Sequence, residues 1–143
     1  MTTYGIREAA ELLHVSDDTV RRWVESGRLQ AVESGGGRMR IDGIELARVA
    51  TSLGEEIRVP ATASASARNR FLGIVTAVKR DEVMAQVEVQ CGPYRVVSLL
   101  SRESADDLVL EPGVRVVASI KATNVTVERP IDNPSFDKQG AQT

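Results

Sequence analysis

Glu55-Glu56-Ile57-Arg58-Val59-Pro60-Ala61-Thr62-Ala63-Ser64-Ala65 divides this chain of 143 residues into two parts built on different periods. Small residues after a proline, with no apolar period of their own, read as a linker. Before it, apolar residues recur at helical spacing; after it, they alternate with polar ones, as strands do. The stretch therefore predicts an α+β chain of two domains. A helical domain is expected over 1–54, a linker over 55–64, a strand-rich domain over 65–129 and a flexible polar tail over 130–143. Each domain, at roughly 60–70 residues, buries only a modest core, and association of subunits is a common remedy.

In the first part, Ile6, Ala9, Ala10, Leu12 and Leu13 are expected on one face of a short helix. Ser16 is placed to cap a second helix, with Asp17 and Asp18 at the positive end of its dipole. Val20, Trp23 and Val24 give that helix an inward stripe, and Gly27 a stop. Arg28–Glu33 and Arg38–Ile41 predict two short strands around Ser34-Gly35-Gly36-Gly37. Asp42 then caps a third helix carrying Ile44, Leu46, Val49 and Leu53. Two short helices across a tight turn make a helix-turn-helix, whose second helix is placed to enter a DNA major groove. Ser16, Thr19, Arg21 and Arg22 lie on its outer side, and Arg38 and Arg40 on the Gly-rich hairpin, a candidate wing. Arginines contact phosphates or the O6/N7 edge of guanine; each can equally solvate a surface. Overall charge does not decide the matter: the formal net charge is −2, and residues 1–60 hold eight Arg and no Lys against ten acids. Binding to DNA therefore requires the arginines to cluster on one face.

The second part gives strands near 68–79, 83–90, 94–100, 114–120 and 123–128, with one short helix over about 101–108. Asp81-Glu82, Gly92-Pro93 and Pro112-Gly113 supply turns. Five strands with a helix after the third predict a small closed barrel of the OB type. Ser66-Ala67-Arg68-Asn69-Arg70 opens this domain, Ser101 and Ser104 begin its helix, and Lys121-Ala122-Thr123-Asn124 follows its fourth strand. A helix start offers unpaired N–H groups and partial positive charge. Hydroxyls add rotatable donors, and Arg68 and Lys121 add charge-assisted bonds. That set suits holding a small oxyanion. Ser101 is equally accounted for as a plain helix cap, and Lys121 and Arg68 as surface charges; spacing alone leaves both readings open.

Nothing near these residues suits catalysis. The set has no His, no Cys and no carboxylate pair for acid–base or nucleophilic work. The chain has one cysteine, Cys91, and one histidine, His14, which excludes an internal disulfide or a Cys/His zinc cluster. Cys91 sits beside Gly92-Pro93 and His14 in a turn between helices; both read as structural. No apolar run is long enough to span a membrane and the N-terminus has no signal-peptide core, so the cytoplasm is the expected location.

The string Ile6-Arg7-Glu8-Ala9-Ala10-Glu11-Leu12-Leu13-His14-Val15-Ser16, with Thr19-Val20-Arg21-Arg22-Trp23 and Gly27-Arg28-Leu29, resembles the MerR/excisionase-type winged helix-turn-helix over about residues 3–53. The resemblance implies a DNA-binding head that works in a dimer or larger assembly. His14 stands where the family usually has Gly, at a turn position that needs positive φ. Ser66-Ala67-Arg68-Asn69-Arg70, Gly73, Val75, Ser101, Ser104, Leu110-Glu111-Pro112-Gly113 and Ile120-Lys121-Ala122-Thr123-Asn124-Val125 resemble the molbindin, or TOBE/Mop, domain over about residues 64–129. This resemblance implies a five-stranded OB-like barrel with strand exchange, binding molybdate or tungstate at interfaces between domains. It assigns Ser66, Ala67, Arg68, Lys121 and Ala122 to one side of such a site and Ser101 and Ser104 to the neighbouring domain; Thr123 keeps a hydroxyl where many members have Ser. Arg70 replaces a common Gln and Asn124 a common small residue. One copy cannot complete an interface site, so a homo-oligomer is expected, a dimer at least, with a hexamer as the larger form.

The expectation is thus an oxyanion-sensing transcriptional regulator, not an enzyme, with molybdate or tungstate as ligand and a double-stranded operator as partner. The alternative is an intracellular store or buffer for the same anion.

Overall fold

The computed structural model describes residues 2–62 and 66–131. These form two compact units, one over Met1–Arg58 and the other over Val59–Glu128.

In the first unit, α1 (Ile6–Leu13) buries Ala9, Ala10 and Leu13 and half-buries Ile6. These positions follow the i, i+3, i+4, i+7 rule. Leu12 falls off that stripe and is 56 % exposed, so its expected place in the inward face is corrected. Glu8 accepts a hydrogen bond from the Gly5 N–H at 2.8 Å, which satisfies one of the donors a helix start leaves open. His14 ends the helix in the left-handed region, φ 55° and ψ 46°, as the turn requires. The Ser16 hydroxyl then caps α2 (Asp17–Glu25) by accepting from the Thr19 N–H at 3.1 Å. Val20 is fully buried on the inward side of this helix.

The Leu29 N–H donates back to the Trp23 carbonyl at 3.1 Å, and Arg28 stacks over the Trp23 ring at 4.7 Å. These bonds hold Arg28 and Leu29 to the end of α2, so the expected strand starts later, as β2 (Ala31–Ser34). It pairs with β3 (Arg38–Asp42) from Ala31↔Ile41 to Ser34↔Arg38. On the other side of β3 lies a short strand the sequence pattern did not announce, β1 (Thr3–Tyr4). Helix α3 (Gly43–Glu55) buries Leu46 and Val49 and partly buries Leu53. Ile44 is 79 % exposed, because two residues along a helix turns a side chain far from the inward stripe. Asp42 occupies the N-cap position without a side-chain capping bond, so its expected capping role is not made.

The second unit is a four-stranded antiparallel sheet that curls into a half-barrel. Its strands are β4 (Asn69–Arg80), β5 (Met84–Cys91), β6 (Tyr94–Ser101) and β7 (Arg115–Ile120), in the spatial order β6-β5-β4-β7. On β5, Ala85, Val87, Val89 and Cys91 are all buried, the period of two that fills one face. A register shift between Val75 and Ala77 marks a bulge that bends β4. Gly73 lets β4 close down on β5: a Cβ there would lie 2.6 Å from Cys91 Sγ, 2.6 Å from Val89 Cγ1 and 2.7 Å from the Gln90 carbonyl oxygen. Helix α4 (Arg102–Asp107) brings Ala105 to the sheet's core, where it is fully buried. Arg80 ties the end of β4 to this region: its guanidinium donates to the Leu110 carbonyl and pairs with Asp106 and Glu111.

Among the described residues, the expected closed barrel of five strands is a half-barrel of four. Residues Ala122–Asn124 form a 3-10 turn instead of opening a fifth strand. Beyond it Val125 is extended, but residues 125–130 join no ladder among the described residues. The sequence alternates as a strand does; a partner edge is what it lacks. Of the expected tail over 130–143, only Pro130 and Ile131 are described; within the linker, 63 and 64 lie outside the described residues.

Candidate functional site

Three places collect the residues singled out by the sequence. The first is on the helical unit. Arg21, Arg38 and Arg40 line one hollow of about 450 Å3, together with Gly5, Ile6 and Glu25. The turn after α1 and the β2–β3 hairpin thus bring arginines distant in sequence to one face, as DNA binding requires. They are not equivalent. Arg40 is half-buried, and its Nη2 donates to the Thr3 carbonyl at 2.9 Å and its Nε to Thr3 Oγ1 at 3.3 Å. It fastens β1 to β3. Arg38 is exposed on the hairpin. Arg21 pairs with Asp18 at 3.4 Å. Arg22 donates to Thr19 Oγ1 at 3.2 Å, and Thr19 Oγ1 lies 2.9 Å from Ser16 Oγ. Ser16, Thr19 and Arg22 therefore form one short relay along the outer side of α2.

The second place is at the end of the half-barrel where β4 begins and β7 ends. Asn69 pairs with Ile120 and Arg70 with Ser119, and Asn69 Nδ2 donates to the Ile120 carbonyl at 3.1 Å. An open hollow of about 570 Å3 lies there. Ser66, Ala67, Arg70, Ser119, Lys121 and Asn124 line it with Thr62, Val117 and Ile120. No carboxylate stands among those lining residues. Arg68, and Ala122 and Thr123 in the 3-10 turn, are exposed and are not among the residues that line the hollow. Arg70 and Asn124 were noticed in the sequence only as departures from a pattern. Ser119 was missed, although alternation along β7 already places Val117, Ser119 and Lys121 on one side.

The third place is at the opposite end of the sheet. Ser101 pairs with Met84, next to the turn that follows Arg80. Ser101 Oγ accepts from the Ser104 N–H at 3.1 Å and donates to Ser104 Oγ at 2.8 Å. The hollow sits at Asn69, the first residue of β4, and the two serines sit beyond Arg80, its last. Twelve residues of strand separate those ends, on the order of 35 Å if straight. Within the described chain, Ser66 and Lys121 lie at one end of β4 and Ser101 and Ser104 at the other.

Between the two free edges of the sheet, β6 and β7, runs an apolar groove of about 560 Å3. Val87, Val89, Val96, Leu100, Leu110 and Val116 are among its walls.

The chain matches two family models, a helix-turn-helix domain over residues 3–54 and a TOBE domain over residues 65–127. Its second part is 40 % identical over 65 residues to molybdenum-pterin-binding protein 3 of Clostridium pasteurianum, a match covering 45 % of this chain and 96 % of that protein. The chain belongs to the TOBE family. In it a TOBE domain is fused behind a helix-turn-helix domain. Molybdenum-pterin-binding protein 1 of the same organism is 32 % identical over 65 residues, again 45 % of this chain and 96 % of the relative. Among solved structures, MopII from Clostridium pasteurianum is 31 % identical with a TM-score of 0.43, covering 46 % of this chain and all of that one. A molybdate-binding protein from Sporomusa ovata is 30 % identical with a TM-score of 0.45, covering 46 % and 98 %. The arginine hollow lies in the range of the helix-turn-helix model, and the serine pair and every lining residue of the donor-lined hollow except Thr62 lie in the range of the TOBE model.

Proposed function

We propose that this protein is a transcriptional regulator that binds molybdate or tungstate through its TOBE domain and operator DNA through its helix-turn-helix domain. The observation that carries the reading is the donor-lined hollow. Arg70 and Lys121 supply two cations, Ser66 and Ser119 supply hydroxyls, and no carboxylate opposes an anion. A dianion taken out of water needs such charge and donors. The hollow lacks an anionic acceptor for the proton that phosphate keeps at neutral pH, and cavity size is left to exclude the smaller sulfate. Arg68, exposed and next in sequence to the hollow's Ala67, is left for a site completed by a second chain.

The same reading makes the protein a homo-oligomer, a dimer at least and a hexamer in its larger form. Ser101 and Ser104 complete the site of a neighbouring copy, since their own chain holds them at the other end of the sheet. The free segment after Asn124, with Val125 and Val127 exposed, is matched in chemistry to the apolar groove between β6 and β7 of that neighbour. Strand exchange would close both half-barrels and remove both free edges. Anion binding then shifts operator affinity by its differential binding to two arrangements of paired heads. The β2–β3 hairpin, with exposed Arg38, serves as the wing on the phosphate backbone.

Calorimetric titration with molybdate, tungstate, sulfate and phosphate, with oligomer mass measured in parallel, tests the proposal. Submicromolar binding of the first two by an oligomer is expected; equal binding of all four, or a monomer, would sink it. Arg21→Ala with Arg22→Ala should abolish gel shifts of the operator and leave anion affinity unchanged.

A second reading has its own support. The curated relatives consist almost wholly of the TOBE domain and are named as binding molybdenum-pterin. On that footing the protein is an intracellular store or buffer of the anion, free or pterin-bound, with the head as a partner module. Salt-dependent binding to a defined operator favours the regulator; high anion stoichiometry without DNA affinity favours the store.

A further inference from the structure

Arg70 does two things at once. It lines the donor-rich hollow beside Lys121 and Ser66. It also holds the end of the linker, for its Nη2 donates to the Pro60 carbonyl at 2.5 Å and to Thr62 Oγ1 at 3.3 Å. Thr62 is itself part of the hollow's wall. The arrangement leaves the guanidinium under-used. Both bonds fall on one nitrogen, and Nε is buried with no hydrogen-bond partner. A buried donor without an acceptor is costly, and a neutral carbonyl and hydroxyl leave the guanidinium's charge without an opposite one. A tetrahedral dianion offers what they do not: two oxygens at the spacing of the guanidinium fork and a full opposite charge.

Resting on the reading of this hollow as an oxyanion site, we propose that Arg70 is a ligand of the anion and, in the empty protein, the latch of the linker. When the anion enters between Arg70 and Lys121, the guanidinium turns its fork to it and gives up Pro60 and Thr62. The linker that joins the sensor to the head is thereby released. The competition is reciprocal. Whatever the linker bonds hold in the empty protein is subtracted from anion affinity, and weakening them raises that affinity by the same factor. Proline at 60 and small residues after it suit such a segment, since their few contacts let it be held or freed by a single side chain.

Backbone NMR order parameters of Ala61 and Thr62 in the full-length protein, with and without saturating molybdate, read the latch, and calorimetry on the same samples reads the ligand. In the wild type, molybdate is expected to lower these order parameters toward those of a flexible chain. In Arg70→Gln they are already low without molybdate and do not respond, and molybdate affinity falls by about tenfold or more. Thr62→Val, which removes one latch bond and no charge, should bind molybdate more tightly, by roughly two- to fivefold. It also serves if Arg70→Gln does not fold. Molybdate binding by the wild type with the linker order parameters unchanged or raised overturns the latch. Unchanged affinity in Arg70→Gln, or weaker binding in Thr62→Val, overturns the competition. If the wild type binds neither molybdate nor tungstate, what fails is the assignment of the hollow itself, a result distinct from either of these.

Discussion

Val109 carries a φ of 51°, a conformation that costs a β-branched residue on the order of 1–2 kcal/mol. It follows α4 with its side chain 66 % exposed, so little burial repays the strain. Val109→Gly removes the clash but gives the unfolded chain more freedom, about 0.5–1 kcal/mol in the opposite direction. A net gain of about 0.5–1 kcal/mol is expected, visible as a higher urea midpoint for the TOBE domain. Asp81 shows a residue working the other way. Its carboxylate accepts from the Met84 N–H at 2.7 Å and the Val83 N–H at 2.8 Å, and these bonds lower its pKa from the ordinary 3.8. A lowered folded pKa means stability that is present above the unfolded value and lost as pH falls through the folded one. Asp81→Ala should therefore lower the unfolding midpoint at neutral pH, and its difference from wild type should shrink on acidification below about pH 4. A difference that stays constant to pH 2.5 would show that the carboxylate's charge plays no part. Cys91, by contrast, is buried, and burial pushes its thiol up, away from the reactive thiolate. The turn role of Asp81 was legible in Asp81-Glu82; the left-handed Val109 was not, because nothing in a valine announces it.

At the scale of elements, what the sequence made legible was whatever a local period controls. Ile6, Ala9, Ala10 and Leu13 on α1 and Val20 on α2 follow from 3.6-residue spacing, and the buried set on β5 follows from a period of two. Leu12 and Ile44 were misplaced because being apolar and near the stripe is not the same as being on it. Strand β1 was not legible. Two residues carry no period, and this strand exists through a distant tether, the Arg40 guanidinium on Thr3. Sequence reasoning had set Arg40 aside for DNA. Arg40→Ala removes two partly buried hydrogen bonds and should cost about 1–2 kcal/mol of head stability. Trp23 is the chain's one tryptophan and lies in the head, so its fluorescence during urea unfolding reports that unit directly. Arg38→Ala, on the exposed hairpin, should leave this transition within about 0.5 kcal/mol of wild type. An Arg40→Ala transition indistinguishable from wild type would mean that β1 needs no such tether.

At the scale of the molecule the limit of the sequence is of another kind. Alternation at Val125 and Val127 marks residues fit for a strand but does not say against which chain the strand is formed. Within the described residues no edge receives it. The same holds for the proposed anion site. Ser66, Ala67 and Lys121 converge with Arg70, while Ser101 and Ser104 close on each other at the far end of β4. If the site is shared, its two halves can be broken on different chains and repaired by mixing. Ser66→Ala with Lys121→Ala removes one half; Ser101→Ala with Ser104→Ala removes the other. Each variant alone should bind molybdate at least tenfold more weakly than wild type, since each loses charged or hydroxyl donors. Unfolded together in equal amounts and refolded, the two should form mixed dimers. In a mixed dimer with two isologous sites, one site carries both defects and the other carries neither. Random pairing makes about half the dimers mixed, so roughly a quarter of all sites should recover wild-type affinity. A calorimetric titration then shows a tight phase absent from either parent. Sites built within one chain give no such phase at any mixing ratio, because every chain in the mixture is broken. The appearance of that phase would tie the four-stranded half-barrel, the free segment after Asn124 and the separated donors to a single cause: a site that exists only between copies.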